Sequence, residues 1–247
     1  RSFWTKSKFV FLQHGITQND ISGWIGKYNK NFTGIVAAAI PEYNSFLECD
    51  YRYDKSNIWL TGFPRFDRLE DSGEKRVTIM PTWRKYLTAG WNSFTDVWAI
   101  VDDFEQSDFY KFYNGLINSE KLISAAQKYG YSIDFFPHPT LQPHIDRFEK
   151  RDEVNFKKSG TAYKDIYSHS ALLLTDYSSA AFDFAYLRKP VLYTHFDKDD
   201  FYGGDHICDD GYFDYERDGF GEVEYDLDST VDRLVEYMEN GCKLKDI

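Results

Sequence analysis

An α/β fold built on parallel sheets is what this sequence predicts, and three observations predict it. Short apolar runs alternate with segments of helical periodicity along most of the chain. Glycines, prolines and polar clusters punctuate the joins. The chemically capable side chains come directly after apolar runs, where the carboxyl ends of parallel strands gather ligands.

Taken in order, Phe9-Val10-Phe11-Leu12 predicts a buried strand that ends at Gln13-His14-Gly15. Gly34–Ala39 is a second apolar run, and Pro41–Cys49 a helix with proline near its start. Ile58-Trp59-Leu60-Thr61 predicts a third strand, stopped by Gly62-Phe63-Pro64. The polar stretch Arg65–Lys75 marks a domain boundary. Arg76–Trp83 is the next strand, and Trp91–Gln106, without a clean period, a loop or insertion. Asp108–Tyr129 predicts a helix stopped by Gly130. Ser132–Phe136 is a strand running into Pro137-His138-Pro139. Tyr163–His169 is a short helix, Ala171–Thr175 a buried strand, Ser178–Arg188 a helix and Pro190–Phe196 a strand. Val223-Glu224-Tyr225 and a helix near Ser229–Asn240 complete the reading.

Bulk properties narrow the function. A length of 247 residues suits one large domain or two small ones. Aromatic residues reach 19%, which favours packed cores and aromatic-lined grooves over disorder. A net charge of -11 argues against a nucleic-acid partner, whose phosphates need basic stripes. Cys49, Cys208 and Cys242 are scattered and odd in number, so no disulfide framework is expected and a reducing compartment fits. No apolar run approaches the about 20 residues of a spanning helix. A core strand so close to Arg1 makes the chain read as a piece of a longer protein.

The sharpest segment is Leu172–Phe184, LLLTDYSSAAFDF, a strand, a turn and a helix. Ser178 or Ser179 is placed to cap that helix, whose free N–H groups attract anions such as a pyrophosphate. The competing reading is a capped helix without a ligand. His138 is held between two prolines and could donate to, or neutralise, a leaving phosphate. His14 precedes Gly15, which permits close backbone approach or positive φ, and an imidazole there suits a general base. Arg84 closes Pro81-Thr82-Trp83-Arg84, where a guanidinium could clamp phosphate oxygens. Each also has an ordinary structural reading, as a loop histidine, a turn histidine or a surface arginine. Asp226-Leu227-Asp228 has the spacing of a metal-binding D-x-D, but an N-cap is the stronger reading. His206-x-Cys208 is too short for zinc, and His195 reads as a packed residue.

Six segments in order resemble the CDP-glycerol glycerophosphotransferase family of teichoic acid and capsule polymerases and primases. They are FLQHG at Phe11–Gly15, LTGFPRFDRL at Leu60–Leu69, MPTWR at Met80–Arg84, FFPHP at Phe135–Pro139, LLTDYSSAAFDFAYLRKPVLY at Leu173–Tyr193 and GYFDYERDGFGEV at Gly211–Val223. The resemblance implies a GT-B-type architecture with Rossmann-like parallel sheets facing each other across a cleft. Residues 1–66 would be the C-terminal part of an acceptor-side domain and 67–247 the nucleotide (CDP-polyol) binding domain. It implies transfer of glycerol phosphate or ribitol phosphate from CDP-glycerol or CDP-ribitol to a hydroxyl of a polyol-phosphate or glycan acceptor, releasing CMP. His14 and His138 would be catalytic. Gly15, Arg84, Thr175, Asp176, Ser178 and Ser179 would bind substrate, with Asp183 in support. Many members read His-Gly-Thr where this chain has His14-Gly15-Ile16-Thr17, a departure that touches the acceptor. No cofactor, tightly bound metal or nucleic acid is expected. The expected location is the cytoplasm, at the inner face of the bacterial membrane, with peripheral contact through another region.

Overall fold

The computed structural model describes residues 7–93, 97–158, 160–203 and 211–244. Its elements begin β1 (Val10–Phe11), α1 (Ser22–Ile25), α2 (Lys27–Lys30), β2 (Gly34–Ala37), α3 (Ile40–Glu48) and β3 (Ile58–Leu60). There follow β4 (Arg76–Met80), β5 (Thr88–Asn92), β6 (Val97–Ile100), α4 (Asp108–Ile117), α5 (Glu120–Tyr129), β7 (Ser132–Phe135) and β8 (Val154–Phe156). The last are α6 (Tyr163–His169), β9 (Leu172–Thr175), α7 (Ala180–Tyr186), β10 (Val191–Thr194), α8 (Lys198–Gly203), α9 (Tyr215–Asp218), β11 (Val223–Glu224) and α10 (Leu227–Glu239). They fall into two compact units, Arg1–Leu69 with His206–Gly219 and Glu70–Asp205 with Phe220–Ile247. The sequence reading drew one boundary, between 66 and 67; the grouping of 206–219 with the first unit is a tertiary event without a local signal.

The first unit holds a three-stranded parallel sheet ordered β1-β2-β3. Ile35 and Ala37 of the central strand pack with Ile25, Phe46, Tyr51 and Ile58. Gly34 is required in this strand, because an added Cβ would lie 2.6 Å from the Trp59 indole. The expected buried strand over Phe9–Leu12 is shorter and more open: only Val10 and Phe11 pair, and Leu12 is 59% exposed. As an edge strand, β1 has one neighbour and is covered less than a central strand.

The second unit carries a six-stranded parallel sheet ordered β11-β10-β9-β4-β7-β8. The chain starts in the middle at β4, winds outward through β7 to β8, then returns to the other side of β4 and winds out through β9, β10 and β11. This doubly wound order leaves a crevice beyond the carboxyl ends of β4 and β9, where the winding reverses. β9 and β10 are buried at every position and nearly all apolar, as strands covered on both faces must be.

Two further predicted elements change. The single helix over Asp108–Tyr129 is two, α4 and α5, because Ser119 leaves the helix and caps the second with its Oγ at 3.3 Å from the Leu122 amide. Gly130 then ends α5 at φ +74°, as the glycine suggested. The expected loop Trp91–Gln106 contains an antiparallel hairpin, β5 with β6. Its tryptophans pair across the strands, a signal that alternation alone did not carry. Asp226 is an N-cap, accepting from the Ser229 amide at 2.8 Å, the role the sequence reading favoured for it.

Candidate functional site

In the second unit, the turn after β9 is organised by Asp176, which has no solvent exposure. Its Oδ1 accepts the backbone N–H of Thr82 at 2.9 Å and of Tyr177 at 2.8 Å. Its Oδ2 accepts the Tyr113 hydroxyl at 3.0 Å and faces Arg84 Nη1 at 2.9 Å. One carboxylate thereby ties the end of β4 to the end of β9, across the reversal point of the sheet.

Arg84 is not the open phosphate clamp that the sequence suggests. It is 1% exposed. Nε and Nη2 grip Asp197 at 2.7 and 3.0 Å, and Nη1 reaches the Thr82 carbonyl at 2.8 Å. Phe109, Tyr177, Phe196 and Phe201 surround the guanidinium at 5.0–5.8 Å. Burial disfavours the charge, but the carboxylates of Asp176 and Asp197 outweigh it and hold the group above the ordinary arginine range. The residue after a strand turned inward because two carboxylates wait there. Thr175 is likewise committed: it is fully buried and its hydroxyl donates to the Met80 carbonyl at 2.8 Å. Both side chains are buried and bonded within the protein, where the sequence reading expected contact with substrate. Asp176, also expected to bind substrate, is bonded in the same way.

The groups left facing solvent are the half-buried Ser178 and Ser179. Ser178 Oγ accepts the Ala180 amide at 3.1 Å, so the first serine closes the turn. Ser179 occupies the N-cap position of α7 with helical dihedrals and makes no side-chain cap bond. Asp183 is buried within α7.

His138 follows β7, the strand beside β4, and is partly buried. The Thr140 amide donates to Nδ1 at 3.2 Å. That bond requires a lone pair on Nδ1, so the neutral ring carries its proton on Nε2. Burial, offset in part by Asp176, brings its pKa down to about 4. At neutral pH, His138 is therefore a neutral Nε2–H donor. Of the two roles offered by the sequence, donation fits and standing positive charge does not. His195 is also buried and lowered to about 4 by burial; it stacks on Tyr177 at 4.4 Å as a packed residue.

In the first unit, His14 is exposed and lies against Phe11 and Trp24 with ring centroids at 5.7 and 6.0 Å. The left-handed backbone expected near Gly15 falls on Gln13, at φ +69°. The turn is held from beneath by Glu42, a buried residue that the sequence reading passed over. Its Oε1 accepts the Thr17 amide and its Oε2 the Ala38 amide, both at 2.7 Å. Burial lifts its pKa to about 7, against the backbone amides of Thr17, Ala38 and Ala39 and the charge of Arg65.

Tyr113, Asp197 and Glu42 are thus the positioning residues that sequence reasoning missed. Asp197 obeys the rule used for the others, a polar residue just after a strand, and could have been found by it. Tyr113 lies mid-helix and carries no such signal. Among the described residues, no group of three or more His, Cys, Asp or Glu could hold a metal ion. His206 and Cys208 lie outside the described residues.

Comparison with known proteins follows the same lines. The chain is 44% identical over 240 residues to the minor teichoic acid biosynthesis protein GgaB of Bacillus subtilis (strain 168), covering 97% of this chain and 26% of that protein. It is 34% identical over 212 residues to the teichoic acid poly(glycerol phosphate) polymerase of the same strain, covering 78% of this chain and 25% of the relative. A teichoic acid glycerol-phosphate transferase of Staphylococcus aureus (strain NCTC 8325 / PS 47) is 26% identical over 205 residues, or 78% of this chain and 49% of the relative. The chain therefore spans about a quarter of the two Bacillus proteins and about half of the third. Among solved structures, the wall teichoic acid polymerase TagF shares the fold, with a TM-score of 0.65 at 16% identity, covering 96% of this chain and 61% of that one. The sequence profile described as CDP-Glycerol:Poly(glycerophosphate) glycerophosphotransferase matches residues 8–246, and the chain belongs to that family.

Proposed function

We propose that the protein containing this chain transfers glycerol phosphate from CDP-glycerol to a hydroxyl of a growing teichoic acid chain, releasing CMP. The observation that carries the reading is the turn after β9. It stands at the reversal point of a doubly wound sheet, where nucleotides are bound, and it is locked by Asp176 and Arg84. Family membership and a structure of a TagF histidine variant soaked with CDPG support the choice of donor.

In this reading, the pyrophosphate lies against Ser178 and Ser179, and His138 donates its Nε2–H to a phosphate oxygen. The donor is useful because negative charge gathers on the leaving CMP as the phosphorus–oxygen bond breaks. Negative charge on a bound phosphate raises the His138 pKa from its low resting value, so the ring gains hold as charge develops. His14 acts as base toward the acceptor hydroxyl, taking its proton as oxygen attacks the phosphorus that carries the glycerol. The exposed position of His14 on a braced turn supports that role. Arg84, Asp176 and Thr175 act by holding the turn, and Asp183 by supporting α7. Ribitol phosphate is the alternative polyol. Among the described residues no helix is long and apolar enough to cross a membrane. The proposed location is the inner face of the bacterial membrane, with peripheral contact.

Titration calorimetry with CDP-glycerol, CDP-ribitol, UDP-glucose and CMP tests this, repeated on Ser179→Ala and His138→Ala. Selective binding of CDP-glycerol, weakened in both variants, is the expected result. Preference for UDP-glucose would move the chain to sugar transfer, and binding indifferent to both variants would remove the site from the β9 turn.

A further inference from the structure

The β5–β6 hairpin is unexplained by donor binding. It follows β4 in the chain after a short turn and forms a separate two-stranded sheet. Trp91 and Trp98 are paired across its strands, which puts both indoles on one face. They remain 50% and 39% exposed. Trp98 stacks on Trp83 with centroids at 6.5 Å and planes 26° apart, and meets Trp91 edge-on at 5.6 Å. Trp83 in turn lies 6.2 Å from the His138 ring. Three indoles thus run in series from solvent to the proposed phosphate donor.

The hairpin is also held in place. His144 Nε2 bonds the Trp98 carbonyl at 2.8 Å, and Arg147 bonds the carbonyls of Val101 and Asp102, both at 3.1 Å. A surface hairpin without a task would expose threonine, lysine or glutamate, not indoles.

The chemistry of the occupant follows from charge. From Thr88 to Val101, the sequence contains no lysine or arginine and its only ionisable residue is Asp96. The strands themselves offer a run of phosphates no counter-charge, and Arg147 at their base is already paired with Glu105. A neutral pyranose ring needs none: its C–H-rich face rests on electron-rich indole faces while its hydroxyls stay in water.

We propose that Trp91, Trp98 and Trp83 form a stacking subsite for a neutral pyranose of the acceptor, beside the donor phosphate. The acceptor then carries sugar as well as polyol phosphate. The inference rests on the donor site proposed above for its meaning in transfer, but the subsite itself is tested without it.

The test is saturation-transfer NMR on the intact chain, with methyl α-D-glucopyranoside, maltose, glycerol 3-phosphate and CMP as probes. The proposal expects saturation on the ring C–H protons of the two sugars. It expects a loss of affinity of roughly tenfold in Trp91→Ala and Trp98→Ala, and most of the affinity kept in Trp98→Phe. Absence of sugar contact in the native chain, or contact indifferent to both alanine variants, overturns it. So does glycerol 3-phosphate or CMP depending on these tryptophans more than the sugars do, which would make the platform a polyol-phosphate or base site. CDP-glycerol titrated in parallel reports on the donor reading alone, so failure there with sugar binding intact leaves the subsite standing.

Discussion

The turn after β9 and the turn after β1 each present a candidate group at the end of a parallel strand, yet they are built in opposite ways. Asp176, at the heart of the first, is fully buried and engaged by four donors from three parts of the chain. His14, at the tip of the second, is exposed, and one carboxyl group, Glu42, braces its turn through two amides. The first arrangement suits a rigid mould for an invariant group such as a pyrophosphate. The second suits a base that must meet the hydroxyl of a changing polymer end. Preorganisation matters where charge develops, and tolerance matters where substrates vary.

That contrast can be broken or sharpened in several ways. The largest expected effect is at the open turn. His14→Ala should lower transfer by on the order of 10²- to 10⁴-fold in a CMP-release assay, with the CDP-glycerol dissociation constant within about twofold of the native value. Parallel loss of binding would show that His14 is not a base. At the closed turn the main effect should fall on stability and donor binding together. Arg84→Met strands Asp176 and Asp197 as buried unpaired carboxylates and should cost about 3–5 kcal/mol by urea unfolding. A variant as stable as the native chain would refute the mould. Tyr113→Phe removes a single bond to the same carboxylate and should cost about 2 kcal/mol, with donor affinity reduced in step.

Protonation separates the two units further. His138 and His195 are both lowered to about 4 from 6.5. Below pH 6.5 the unfolded chain takes up protons that the folded one refuses. Their contribution to stability is complete above that pH and is lost as pH falls toward 4. His138→Asn should flatten part of that loss in urea midpoints measured across the range. Glu42 behaves inversely. Its carboxyl is raised from 4.5 to about 7, so the folded state holds the proton longer and this group's contribution falls as pH rises through that interval. Glu42→Gln should abolish that slope and cost about 1 kcal/mol where one backbone amide loses its acceptor. An unchanged slope would mean that another group titrates there.

Much of the molecule was legible in the sequence. Strand, turn and helix over Leu172–Phe184 were readable because apolar runs and turn-forming Asp and Ser act on their own neighbours. The two-helix break at Ser119 was not, because the apolar stripe continues across it and only the cap interrupts. The hairpin was not either, since its pairing depends on contacts between strands rather than on alternation within one. Of the site, His138 and the two serines stand where strand-end logic placed them. The inward turn of Arg84 was invisible, because a guanidinium after a strand has the same local sequence whether it faces a ligand or a partner.

By itself, the sequence determined the alternating α/β pattern, the strand-end location of the polar residues and the family. The first two follow from periodicity and from short-range steric rules, which act within a few residues; the family follows from the resemblance of six ordered motifs. Tertiary structure alone decided which of those residues are free to meet a ligand. Arg84 finds Asp197 113 positions later, and Asp176 finds Tyr113 across 63. Such pairings form only when the sheet brings distant strand ends together and excludes water, and in that dry setting two charges hold each other more firmly than either would hold a solvated phosphate.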